Sequence, residues 1–214
     1  MDERPIREAS AAICVRDGGS GEPEVLVVQR SAASRFLPGY ISFPGGAIEP
    51  DDRDLARRWF GDASEGQRAA AIRELLEEVG LALTSSRLRS ASELEAIDAD
   101  PPGVGAVAEV CRWVAPPEVS VRFDARYFAI HAPAGVEPVA DGREVDRAWW
   151  TSPRELLTGW TDGEHKLYWP TWFTVRRLAA CASEAEVMGL RFETREPTEE
   201  EQTTMPRHVM ESVP

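Results

Sequence analysis

The run Arg73-Glu74-Leu75-Leu76-Glu77-Glu78-Val79-Gly80-Leu81 sets three carboxylates and a guanidinium within two helical turns. At about 100° per residue, Ile72, Leu75, Leu76 and Val79 fall on one side of a helix and Glu74, Glu77 and Glu78 on the other. Carboxylates one turn apart repel each other by roughly a few tenths of a kcal/mol per pair, so an isolated helix would be better off without them. A divalent cation removes the conflict, and hard oxygen ligands of this kind suit Mg²⁺ or Mn²⁺, which keep positions open for water and phosphate oxygens. The bland alternative is a solvated face, since Glu is a strong helix former.

Upstream, Phe43-Pro44-Gly45-Gly46-Ala47-Ile48-Glu49-Pro50 puts a Gly pair between an apolar strand-like run and the helix, where backbone can approach a ligand closely. Together these pieces resemble the Nudix hydrolase box, G-x5-E-x7-R-E-U-x-E-E-x-G-U with U apolar. Arg73, Glu74, Leu75, Glu77, Glu78, Gly80 and Leu81 match its second half in full. The first half departs twice. Asp52 stands where the family has Glu, as an outer metal ligand or a helix anchor, and 13 extra residues separate Gly46 from Arg73. The insert, about 53–67, carries Leu55, Ala56, Trp59 and Phe60 at helical spacing before Gly61-Asp62, and the following helix is expected to restart at Ser64 with Gln67 as its capping-box partner.

An insertion at this place resembles the coenzyme A diphosphatase branch of the Nudix family. Arg30-Ser31, Arg35, Gly39 and Phe43-Pro44-Gly45-Gly46 also follow that branch's spacing R-[SA]-x3-R-x3-G-x3-F-P-G-G, although Val28 replaces the Thr expected just before it. Arg112 to Pro116 and Arg122 to Phe128 look like the same branch. The resemblance implies an α/β fold, the Nudix α/β/α sandwich around a mixed β-sheet, and hydrolysis of a diphosphate linkage with Mg²⁺ or Mn²⁺. It assigns Glu74, Glu77 and Glu78 to the metal and Arg73 to orienting the glutamates. Arg30, Arg35, Gly45 and Gly46 go to the substrate, where guanidinium forks suit phosphate oxygens. Coenzyme A or acyl-coenzyme A would give 3′,5′-ADP and (acyl-)phosphopantetheine. Competing readings are an ADP-ribose, nucleotide-sugar or NTP pyrophosphohydrolase and, from another class, a nucleotide-binding sensor that does not cleave.

These residues need a scaffold. Ala11–Val15 and Glu24–Val28 read as strands joined by the Gly-rich turn 17–21. Residues 94–107 form an acidic, Pro/Gly-rich connector. Further strands are expected at 108–114, ending at Pro116-Pro117, at 126–130 and at 148–150, the last leading through Ser152-Pro153 into a helix. A last helix is expected from about Trp172 to Ala182. Between the strands near 130 and 148 lies the long loop 131–147, and loops of that length are often functional. Several Nudix enzymes place a metal ligand or base in such a loop, and Glu144 is the candidate, with Glu137 and Asp141 as alternates. Seven Trp residues offer ring faces for a nucleobase, but most Trp at such positions are core or interface.

At 214 residues and 43% hydrophobic content, the chain suits one domain, 1–192, with an acidic, weakly apolar tail at 193–214, mobile or stabilised by a partner. A formal net charge of −13 disfavours nucleic-acid and anionic-membrane partners but not a small diphosphate, because bound cations invert the sign at a site. Cys14, Cys111 and Cys181 are odd in number and widely spread, which argues against a disulfide frame and for a reducing compartment. The start lacks the pattern of a secretory signal, Ser212-Val213-Pro214 is no peroxisomal address, and a cytoplasmic location and possible homodimer are expected.

Overall fold

The computed structural model describes residues 5–19, 21–115, 122–196 and 198–204. In chain order its strands are β1 (Ile6–Asp17), β2 (Pro23–Arg30), β3 (Ile41–Ser42), β4 (Gly45–Ala47), β5 (Leu81–Leu83), β6 (Leu88–Ser90), β7 (Ala108–Val114), β8 (Arg122–His131) and β9 (Val145–Thr151). The helices are α1 (Asp52–Phe60), α2 (Gly66–Val79), α3 (Glu95–Asp98), α4 (Pro153–Thr161), α5 (Trp169–Leu178), α6 (Glu184–Gly189) and α7 (Glu199–Thr204).

The alternation of side chains along β1 explains the layers. Ala12 and Cys14 enter one apolar core, with Leu55, Trp59, Ile72, Leu75 and Val79 of α1 and α2; Ile13 and Val15 enter the other, with Leu156, Phe173, Val175 and Val187 of α4, α5 and α6. The sheet is thus covered on both faces, an α/β/α sandwich. It is mixed: β1 runs parallel to β8 from Ile6↔Arg122 to Val15↔His131, and the other pairings are antiparallel.

Register also shows how the site loop is seated. β1 and β2 pair only next to their hairpin, at Val15↔Val25, Arg16↔Glu24 and Asp17↔Pro23. They then separate, and the gap is filled by β3 on β2 and β4 on β1. The turn Phe43-Pro44 joins these two short strands, and the Ala12 N–H donates to the Pro44 carbonyl at 2.8 Å. The Gly pair is therefore wedged into the centre of the sheet.

Several local expectations are corrected. α2 begins at Gly66, behind a 3₁₀ turn capped by Asp62, whose side chain accepts from the Ser64 N–H. Gln67 does not cap; its amide donates to the backbone carbonyls of Ala9 and Asp124 at 3.2 and 3.1 Å, tying α2 to β1 and β8. α5 starts at Trp169, with Pro170 in its first turn. The connector 94–107 contains α3, against which the insertion helix α1 docks through the Trp59 indole N–H to Asp98 at 2.7 Å.

Residues 191–196 lie along the outer edge of β7: the Phe192 N–H donates to the Val110 carbonyl at 3.2 Å, and the Trp169 indole donates to the Arg195 carbonyl at 2.9 Å. Phe192 packs on the apolar core of that face, and Glu201 in α7 pairs with Arg176 and Arg195 at 3.1 and 2.7 Å. The expected strand end at Pro116-Pro117 and the last ten residues of the tail, 205–214, fall outside the described residues.

Candidate functional site

All of α2 is buried except Arg68 and Glu77. Its acidic side is not a solvated face, contrary to the bland reading, because two segments close over it. The Gly45–Gly46 strand lies along one flank. The loop after β8 crosses the C-terminal end, with the Val139 and Asp141 N–H groups donating to the Val79 and Glu78 carbonyls at 2.9 and 3.0 Å. Side chains are excluded at both glycines. A Cβ on Gly45 would collide with the Ser10 carbonyl, and one on Gly46 with the Glu74 carboxylate. The Gly45 N–H donates to Glu78 Oε2 at 2.9 Å.

Arg73 is the hub of the charged network. Its guanidinium is buried and grips both oxygens of Asp52, Nε to Oδ1 at 2.8 Å and Nη2 to Oδ2 at 3.1 Å. It also donates to the Ala47 carbonyl at 3.3 Å and reaches Glu74 at 3.1 Å and Glu77 at 2.7 Å. Burial works against its charge, but Asp52, Glu74 and Glu77 outweigh that and hold it protonated. Asp52 is fully buried and additionally accepts the Glu49 N–H at 2.7 Å, so it anchors Arg73 and the start of α1 rather than reaching the cleft. The box position at the head of the insertion helix thus supplies the counter-charge for the box arginine.

Glu74 and Glu78 are buried close to one another. Burial pushes the Glu74 carboxyl up to about 7, Arg73 opposing and Glu77 and Glu144 adding to the rise. Burial, then the neighbouring Glu74, pushes Glu78 up to about 8, against the pull of the Gly45 N–H and Arg30. Two carboxylates held in such a place call for more positive charge than Arg73, already shared with Asp52 and Glu77, supplies, and their hard oxygens fit a divalent cation. Among the described residues no three His, Cys, Asp or Glu side chains already converge as a closed ligand set. Glu77 faces out, drawn to Arg73.

Glu144 reaches the same region from the long loop. Its backbone is pinned on both sides: its carbonyl accepts the Ser31 N–H at 2.8 Å, and its N–H donates to Asp141 at 3.1 Å. The alternates are otherwise engaged, Asp141 accepting the N–H groups of Arg143, Glu144 and Val145, and Glu137 pairing with Arg16 at 3.1 Å.

Glu74, Glu77, Glu144, Arg73, Gly45 and Gly46 line a cleft of about 440 Å³. Arg30 also lines it and braces the following turn, donating to the Phe36 carbonyl at 3.0 Å and to Ser34 Oγ at 3.1 Å. Arg35 is exposed on that turn and does not line the cleft. The same cleft carries aromatic residues: Phe36, Tyr40, Phe43, Trp113, Phe123, Tyr127 and Tyr168. Phe36 stands 5.7 Å from Phe123 and 6.4 Å from Tyr168, ring centre to ring centre. Of the seven Trp, only Trp113 lines this cleft; Trp160, Trp169 and Trp172 stack on one another in the α4–α5 layer. The sequence points to Trp and gives no direct signal for the Phe and Tyr rings, although Phe123 and Tyr127 lie in the stretch Arg122 to Phe128 that resembles the coenzyme A diphosphatase branch.

Residues 6–173 match the family model described as NUDIX domain. The crystal structure of a NUDIX hydrolase from Alicyclobacillus acidocaldarius superposes with a TM-score of 0.75 at 30% identity, covering 87% of this chain and 97% of that one. Among curated proteins, the peroxisomal coenzyme A diphosphatase ndx-8 of Caenorhabditis elegans is 36% identical over 75 residues, 35% of this chain and 27% of its own length. The uncharacterized Nudix hydrolase NudL of Klebsiella aerogenes is 34% identical over 77 residues, 36% of this chain and 54% of that protein. The chain thus spans between about a quarter and a half of these two relatives. Among the described residues, no helix is long and apolar enough to cross a membrane.

Proposed function

The chain belongs to the NUDIX hydrolase family, and from that premise we propose that it cleaves the diphosphate linkage of a nucleoside diphosphate derivative, most favourably coenzyme A or acyl-coenzyme A. The observation that carries this reading is the placement of Glu74, buried against the Gly45–Gly46 strand beside Glu78, in a cleft that it lines together with aromatic rings. A diphosphate with a nucleoside attached presents both chemistries, charge for a cation site and a flat base for the rings. The coenzyme A assignment draws on Arg30 in the cleft, on the spacing from Arg30 to Gly46, and on the matched stretch of the ndx-8 diphosphatase.

Glu74, Glu77, Glu78 and Glu144 would hold Mg²⁺ or Mn²⁺. When bound, such an ion lowers the pKa of water and offsets charge on the diphosphate. The chain's own residues do the rest. Arg73, fixed by Asp52, orients Glu74 and Glu77. Gly45 and Gly46 line the cleft, bare because Ser10 and Glu74 occupy the space of their side chains, and are the candidates to pass under the diphosphate; the Gly45 N–H holds Glu78 in place. Glu144 lines the same cleft from a braced loop and is the candidate base for the attacking water. Arg30 offers a guanidinium to phosphate, and Arg35, exposed on the neighbouring turn, is the candidate for a phosphate further out.

A substrate panel of coenzyme A, acyl-coenzyme A, ADP-ribose and an NTP, with and without Mg²⁺ or Mn²⁺, tests the reading. The expected outcome is cation-dependent release of 3′,5′-ADP and (acyl-)phosphopantetheine. Faster turnover of ADP-ribose or an NTP would move the substrate, and binding without turnover of any of them would replace the enzyme with a sensor.

A further inference from the structure

One buried hydroxyl in the cleft has no use in the network described so far. Ser10, on β1, is 3% exposed and lines the cleft, yet its Oγ has no hydrogen-bond partner among the described residues. A buried hydroxyl without a partner is costly, and native folds keep few of them, so the group calls for an explanation in the working state of the protein.

Its position supplies one. Ser10 pairs with Gly46 across the β1–β4 ladder, so the two residues face the same side of the sheet. That side is the α2 side, since Ala12 and Cys14, in phase with Ser10, enter the α2 core. The space a Gly46 side chain would fill is taken by the Glu74 carboxylate. Glu74 is short of donors: a carboxylate has about four lone-pair sites, and among the described residues its partner is Arg73. Ser10 Oγ and Glu74 are not bonded to each other in this structure, but a donor without an acceptor faces the side of the sheet on which an acceptor short of donors is packed.

We propose that Ser10 is a positioning residue whose hydroxyl donates to Glu74 and fixes that carboxylate for a divalent cation. The proposal rests on the reading of Glu74 as a cation ligand. Groups that hydrogen-bond to a ligand, rather than to the ion, typically change affinity about 10-fold to 100-fold when removed. Ser10→Ala takes away only the hydroxyl and leaves the strand and its packing in place.

The test is Mn²⁺ binding, followed by electron paramagnetic resonance, to the whole chain, Ser10→Ala, Glu74→Gln and the double variant, with thermal melts of each without metal. Ser10→Ala is expected to weaken Mn²⁺ about tenfold, to have no further effect in the Glu74→Gln background, and to melt no lower than the unaltered protein, since it relieves an unpartnered group. Unchanged Mn²⁺ affinity in Ser10→Ala would overturn the proposal, as would a loss that persists undiminished beside Glu74→Gln. Failure of the unaltered protein to bind Mn²⁺ would overturn the underlying metal reading along with it.

Discussion

The acidic and the aromatic residues around the cleft are held by opposite strategies. The charged groups on and around α2 are tethered: Arg73 to Asp52, Ala47, Glu74 and Glu77, and Glu78 to the Gly45 N–H. The aromatic residues Phe36, Phe123 and Tyr168 meet through ring contacts, on segments far apart in sequence. Charged groups must be held at fixed positions because a misplaced buried charge is expensive, whereas ring packing is non-directional enough to tolerate exchange. The acidic set should therefore fail abruptly when altered and the aromatic set by degrees.

The sharpest break is expected at Asp52. Asp52→Ala leaves the Arg73 guanidinium buried without its bidentate partner, and loss of one member of a buried ion pair costs about 3–5 kcal/mol. Urea denaturation of the variant should show that loss; a change within about 0.5 kcal/mol would mean that Asp52 anchors nothing. Glu78→Gln, which keeps the size and the Gly45 tether, should leave the melting temperature close to normal while kcat falls at least about 10²-fold. Near-normal turnover would remove Glu78 from the mechanism. Third, Mg²⁺ or Mn²⁺ at about 100 times its Kd should stabilise the fold by about 2.7 kcal/mol. A chelator should abolish the shift, and the Glu78→Gln variant should show less of it. An equal shift in that variant would place the ion elsewhere.

The same contrast explains what was legible in the sequence. The acidic set is coded locally, with Arg73, Glu74, Glu77 and Glu78 on one helix and the Gly pair a short way upstream, so residue type and spacing suffice to name it. Its burial is not coded there: a helical wheel leaves a solvated face open, because it knows nothing of the loop 132–144 or of β4, which cover the acidic side. The sequence leaves Asp52 between two roles because its distance from Arg73 depends on how the insertion folds, and α1 brings it back through tertiary packing against α2. Local spacing suggests a cap at Gln67, whereas its acceptors, the Ala9 and Asp124 carbonyls, lie on strands more than fifty residues away on either side. The sandwich was expected from resemblance, and the strands came from alternation. The parallel β1–β8 pairing, which joins residues over a hundred positions apart, leaves no trace in any local window.

The aromatic residues have no such local code, and it is among them that the smallest effect is expected. Phe36 is half-buried, and Arg30 steadies its carbonyl, so the ring can be truncated without freeing a charge. An aromatic contact is worth about 0.5–1.5 kcal/mol beyond the area it buries. If the ring engages the part of the substrate beyond the diphosphate, that interaction is present in the bound ground state and in the transition state alike. Phe36→Ala should then raise KM about threefold to tenfold and leave kcat within about twofold. Steady-state kinetics with coenzyme A separates the outcomes. A fall in kcat at constant KM would show that the ring acts on the reacting diphosphate, and the division between tethered reactive groups and yielding recognition groups would have to be redrawn.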